Sequence, residues 1–112
     1  FVVDAQRCLA FHTIENRDPD LPDSIKRSLG PWIAGCDICQ DVCPWNHRDL
    51  PSSEDPDMQP RPWLLNVNAQ DLQNWDDATW DQQLRGSALR RIKPWMWRRN
   101  AAAAQPDLPP NL

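Results

Sequence analysis

Cys8, Cys36, Cys39 and Cys43 are the residues of this 112-residue chain whose type and spacing can do chemistry. Cys36-Asp-Ile-Cys39 sets two thiolates one turn apart, a separation that lets both reach one metal centre. The run continues as Cys36-x2-Cys39-x3-Cys43-Pro44. That continuation is the tail of the bacterial iron–sulfur run, in which the Cys before Pro ligates the other of two clusters. Two ligands in a tight loop hold one cube, and the next Cys starts a helix and points away toward a second. Pro44 suits the first turn of such a helix, where a backbone N–H has no partner anyway.

The match has a gap. A complete run would carry another Cys at position 33, where Ile33 stands. The missing ligand must come from elsewhere, and Cys8 is the free candidate. Cys8, Cys36 and Cys39 then give three thiolates to one [4Fe–4S] cluster, and Cys43 gives one to the other. Four more thiolates are required, which a ferredoxin-like run upstream of Phe1 would provide. Two other chemistries remain open on these residues. One is a tetrahedral zinc site, for which His47 is an alternative ligand though it reads better as a surface residue. The other is a pair of disulfides in a secreted domain, against which stand the crowding of three Cys into eight residues and the absence of a signal pattern. A zinc protein would be colourless, whereas clusters absorb broadly in the visible and bleach on reduction.

The residues around the ligands are suited to a cluster. Gly30 and Gly35 allow close backbone approach and N–H···S contacts. Trp32 and Trp45 could exclude water, although ordinary core packing is the plainer expectation for Trp45. Asp37 adds negative charge beside an anionic centre unless it turns to solvent. His12 reads as a hydrogen-bonded structural residue, because the Cys set already accounts for a metal.

The elements that must position these residues are short. Pro is 12 of 112 residues, which excludes a regular helical bundle or a continuous sheet along the whole length. Seven Trp against two Phe and no Tyr is an unusual aromatic balance. No run of 18 apolar residues exists to span a membrane. The opening Phe1-Val2-Val3-Asp4 reads as the middle of an element, so a preceding N-terminal part of the same protein is expected. Residues 5–15 read as a short helix or turn. Asn16 to Asp23 is turn-rich, and Asp23 or Ser24 could cap a helix over 24–29 that ends at Gly30. One or two helical turns are expected from Cys43 to about Asp49.

Residues 49–62, with four Pro and four acids, read as an extended linker separating residues 1–48 from a helical segment over 63–104. In that segment Asn68 with Asp71 resembles a cap pair for a helix through Trp75. Asp76 precedes a helix over 77–84 with Trp80 and Leu84 on one face. Ser87 caps the next helix, which Pro94 breaks into 88–93 and 94–104. Residues 105–112 read as a frayed tail.

Charge divides unevenly. Residues 1–81 hold 15 acids and 6 bases, a net −9. Residues 82–112 hold one acid and six bases, a net +5, and the six bases fall between Arg85 and Arg99. Such a block on an acidic chain points to an anionic partner or to a solvated helix face.

Three segments carry a family resemblance. Arg7-Cys8-Leu9-Ala10-Phe11-His12-Thr13-Ile14-Glu15 resembles a segment of the epoxyqueuosine reductases. Gly35-Cys36-Asp37-x-Cys39-Gln40-x-Val42-Cys43-Pro44-Trp45-Asn46 is similar to that family's second cluster motif. Gly86-Ser87-Ala88-Leu89-x-Arg91, followed by Arg99-Asn100-Ala101-Ala102, resembles the start of its C-terminal HEAT-like repeat.

The resemblance implies a mainly α, loop-rich fold. Residues 1–48 would be the second half of a ferredoxin-like module for two [4Fe–4S] clusters, and residues 63–104 the first helices of a HEAT-like repeat. It also implies a monomeric cytoplasmic enzyme that reduces epoxyqueuosine to queuosine at the tRNA wobble position, with the clusters passing electrons to cobalamin. By that reading Cys8, Cys36 and Cys39 ligate the cluster nearer the cobalamin, and Cys43 is the last ligand of the other. Ala10, Glu15 and Asp37 become candidate cobalamin contacts, and the whole Thr13–Glu15 stretch a candidate cofactor or tRNA contact, with Ala10 standing where the family usually has Ser. The catalytic Asp and the cobalamin domain would lie upstream, so this segment alone would be inactive.

The basic block then reads as a tRNA contact for an anticodon stem-loop, through Arg90, Arg91, Lys93, Arg98 and Arg99, with Trp95 and Trp97 placed to stack on unpaired bases. Two other function classes fit parts of the sequence. A corrinoid reductive dehalogenase-like electron carrier would explain Cys36–Pro44 but not Thr13-Ile14-Glu15. A zinc-stabilised nucleic-acid binding module would have no redox role.

Overall fold

The structure, a computed structural model, describes residues 2, 4–46, 52–105 and 107. It is helical with no strand among those residues, and its elements are short. The first half carries a 3-10 turn, Ala5–Arg7, a π-helical turn, Phe11–Glu15, and helices α1 (Asp23–Ser28) and α2 (Ile38–Asp41). The second half carries 3-10 turns at Pro56–Met58, Pro62–Leu65 and Ala88–Arg91, and helices α3 (Ala69–Gln73), α4 (Asp77–Leu84) and α5 (Pro94–Ala103).

Local chemistry accounts for most of these boundaries. Asn68 and Asp71 close a reciprocal capping box at α3, each side chain bonding the other's backbone N–H. Asp76 caps α4 by accepting from the Thr79 N–H at 2.7 Å. At the other end of α4, Arg61 donates to the carbonyls of Gln83 and Arg85, which otherwise lack intrahelical partners. Ser87 accepts from Leu89 N–H and opens the 88–91 turn. Pro94 then starts α5 at its first position, where its missing N–H costs nothing.

Three expectations are corrected. Neither Asp23 nor Ser24 caps α1: the N-cap is Pro22, and Asp23 already lies in the first turn, favourably placed against the helix dipole. The α3 helix stops at Gln73, short of Trp75, because Asn74 takes over as its C-cap. Trp45 is not a core residue, being 70% exposed on the turn after Pro44. The tail residues 106 and 108–112, and residues 47–51 of the expected 43–49 turn and linker, lie outside the described residues.

Two apolar clusters hold the chain together. The larger gathers Leu72, Leu84, Ile92, Met96, Trp97 and Ala101, with Trp63, Trp75 and Trp80 packed around them. Ile14, Ile33 and Ala34 of the first half join it. The smaller gathers Leu9, Leu21, Ile25 and Leu29, and Ala103 and Ala104 of the second half join that one. Each fully buried side chain of this size stabilises the fold by about 1.5–3 kcal/mol. The two halves flanking the acidic, Pro-rich stretch therefore share both clusters, and α5 is the element common to them.

Candidate iron–sulfur site

Cys8 follows the 3-10 turn Ala5–Arg7, with its N–H bonded to the Ala5 carbonyl at 3.1 Å. Its own carbonyl accepts from His12 N–H at 3.2 Å, so the Cys8 backbone is tied to the π-helical turn. His12 is buried, with Nε2 donating to the Gln6 carbonyl at 2.8 Å and Nδ1 accepting from the Asn16 amide at 3.1 Å. Both ring nitrogens are used, and His12 is a structural residue as expected.

The second cysteine segment is entered through Gly35, whose φ of +83° lies in the left-handed region. A Cβ there would meet only Ile14 Cδ1, at 3.9 Å, so backbone conformation and not crowding calls for glycine. Cys36 follows, and Asp37 is the exposed N-cap of α2. Cys39 lies on α2 and is exposed. The Gln40 amide approaches its sulfur at 4.0 Å. Asn46 folds the turn after Pro44 back onto α2, donating to the Gln40 carbonyl at 3.0 Å and to its Oε1 at 2.9 Å, which sets the place of Cys43.

Cys8, Cys36 and Cys39 line one open cleft of about 730 Å³, together with apolar Leu9, Ile25, Ile38 and Val42. Cys43 is not on its wall. None of the four cysteines is paired in a disulfide. Burial pushes the Cys36 thiol above the ordinary range. The backbone at Ile38 works the other way, and the charges of Cys8, Cys39 and Asp37 add to the rise. Among the described residues no three Cys, His, Asp or Glu side chains converge tightly enough for a single metal ion, and His47 lies outside those residues. Thiolates on a cubane each bind a different iron and stand farther apart than four around one zinc. Three thiols on one open cleft form a donor set whose chemistry fits a cluster.

The comparisons with known proteins agree with this chemistry. Residues 1–46 match the family described as "4Fe-4S double cluster binding domain". The epoxyqueuosine reductase of Synechococcus sp. (strain CC9605) is 76% identical over all 112 residues, which are 35% of its own length. The chain is homologous to epoxyqueuosine reductases. That of Prochlorococcus marinus is 60% identical over 89% of the chain and 32% of its own length. The epoxyqueuosine reductase of Vibrio cholerae is 43% identical over 96% of the chain and 29% of its own length. The chain thus spans about a third of the epoxyqueuosine reductases it matches. No solved structure matches it.

The other expected contacts fall on different ground. Ala10 is half-buried beside the π-helical turn. Glu15 is paired with Arg91, whose guanidinium forks onto the carboxylate and holds it below the ordinary carboxylate range. In the basic block, Arg90 pairs with Asp81 at 2.6 Å and lies 4.5 Å from the centre of the Trp80 ring. Arg98 pairs with Asp77 at 3.1 Å and donates to the Trp75 carbonyl. Arg99 donates to the carbonyls of His12, Asn16 and Asp18. Trp97 cannot stack on a base, because it is 3% exposed in the main core. Lys93 and Trp95 are exposed.

Sequence reasoning missed Asn100 as an individual residue. It is fully buried, and its amide donates to the carbonyls of Thr13 at 2.8 Å and Ile33 at 2.9 Å. A signal was present: Met96, Trp97, Asn100 and Ala101 occupy i, i+1, i+4 and i+5, one stripe of α5, with a lone amide among apolar residues.

Proposed function

We propose that this chain is the cluster-bearing portion of an enzyme that reduces epoxyqueuosine to queuosine at the tRNA wobble position. Cys8, Cys36 and Cys39 hold one [4Fe–4S] cluster, and Cys43 is the last ligand of a second, with the remaining thiolates supplied from elsewhere in the intact protein. A bound cluster supplies one-electron transfer, here toward cobalamin. The chain's own residues bind and orient. Leu9, Ile25, Ile38 and Val42 give the cleft wall its apolar part. Backbone N–H groups of the Cys36–Cys39 loop that come to face a bound cluster would be of the kind that tunes its potential. The buried indole N–H of Trp32, which packs on the same apolar cluster as Cys36, has no acceptor among the described residues. Cobalamin contact near Ala10, Glu15 and Asp37 rests on the family resemblance.

The observation that carries this reading is the grouping of three thiols on one cleft with the fourth set apart. The test is metal and sulfide analysis of the intact protein purified without air. About eight iron and eight sulfide per chain are expected, from two four-iron clusters. Zinc without iron would overturn the reading.

The basic segment is proposed to meet tRNA phosphate in the cytoplasm, in a monomeric enzyme, and the packing of α3 against α5 supports its being the first pair of a HEAT-like stack. Within the segment Lys93 and Arg91 are the exposed cations of the 90–93 turn, although Arg91 also holds Glu15, while Arg90, Arg98 and Arg99 are half-buried and brace the fold. Replacing Arg91 and Lys93 by Ala in the intact protein is expected to weaken tRNA binding and to reduce the slope of log affinity against log salt by about 1.4–1.8, at roughly 0.7–0.9 per phosphate contact. An unchanged slope would remove these residues from the interface.

A further inference from the structure

Two backbone segments carry the thiols of the cleft, and they are joined by side chains that touch neither sulfur. Thr13, on the π-helical turn, is fully buried. Its hydroxyl donates to the Leu9 carbonyl at 3.0 Å and accepts from the Gly35 N–H at 3.1 Å. Leu9 follows Cys8, and Gly35 precedes Cys36. The same oxygen is therefore bonded to the residue next to each of two thiols. On the other side of the turn, Asn100 bridges the carbonyls of Thr13 and Ile33. Its own Oδ1 accepts from Arg99 at 2.9 and 3.0 Å, which fixes the amide with its N–H groups toward those carbonyls.

We propose that Thr13, held by Asn100, is a positioning residue that sets the separation of Cys8 from Cys36, so that the two thiols meet one cluster at the spacing it requires. The inference rests on the cluster reading above and adds to it the device that spaces the ligands. The physical basis is register. Without the Thr13 oxygen the Gly35 N–H loses its acceptor, and a left-handed glycine with a freed amide can turn, carrying Cys36 relative to Cys8. Ligand geometry in turn sets the electronic structure and potential of a cluster.

The test compares three variants of the intact protein, loaded and purified without air: Thr13→Val, Thr13→Ser and Leu72→Ala. Val keeps the shape and removes the hydroxyl, while Ser keeps the hydroxyl. Leu72 is a buried core residue of α3, outside the residues that line the cleft, and serves as a control for lost stability alone. Thr13→Val is expected to shift the electron paramagnetic resonance signal and midpoint potential of one reduced cluster, or to lose its iron. Thr13→Ser and Leu72→Ala are expected to keep the wild-type signal, potential and iron content. A wild-type signature in Thr13→Val, or the same change in Leu72→Ala, would overturn the positioning role while leaving the cluster reading intact. A wild-type protein without iron and sulfide would overturn both.

Discussion

Cys36→Ser in the intact protein is expected to lose the cluster of the cleft and to lower epoxyqueuosine reduction by more than about 100-fold. Even residues that only orient a metal's ligands cost about 10–100-fold when replaced, and Cys36 is proposed as a ligand itself. It lines the cleft together with Cys8 and Cys39. Serine keeps the size but offers a hydroxyl where soft iron calls for thiolate. The informative comparison is Cys43→Ser, because Cys43 lies off that cleft. Each single variant should hold about four iron, half of the two-cluster content, and their reduced spectra should differ. The double variant should be colourless. Iron analysis and reduced-minus-oxidised spectra decide it, and a Cys36→Ser protein with the full iron content would count against the assignment.

Asn100→Leu is expected to destabilise the fold by about 4 kcal/mol. The side chain is fully buried and satisfies two carbonyls from distant parts of the chain. Leu has similar bulk but no donor, so the carbonyls of Thr13 and Ile33 would be left unpaired at about 1–3 kcal/mol each. Arg99 would also lose the amide oxygen that accepts from its Nε and Nη2. Urea unfolding followed by tryptophan fluorescence measures the loss. A change below about 1 kcal/mol, the scale of one ordinary hydrogen bond, would mean that those carbonyls find other partners.

What could be read from residues alone was what is local. The capping pair Asn68–Asp71, the caps at Asp76 and Ser87 and the interruption at Pro94 each depend on a few neighbours, and each appears where the spacing puts it. The Cys36-x2-Cys39-x3-Cys43 spacing is also local, and it pointed to the cluster-binding family that residues 1–46 match. The π-helical turn was not legible, because nothing in Phe11–Glu15 by itself favours a bond from Asn16 N–H to the Phe11 carbonyl. Nor was the inward use of Arg99, whose acceptors lie more than eighty residues earlier in the chain. A basic run looks the same on paper whether its guanidinium groups face a phosphate or a buried carbonyl. Only tertiary contact separates the two.

The exposed acidic stretch over 52–60 contrasts with the joins on either side of it. Both apolar clusters draw residues from before and after the stretch, and Arg99, Asn100 and the bond from Gln105 N–H to the Gly30 carbonyl add polar ties. A protease would find its easiest cut there. Two nicked pieces would still have every one of those ties available to keep them together. The peptide link through 52–60 delivers the C-terminal helix to its place, and the non-covalent seam holds it there.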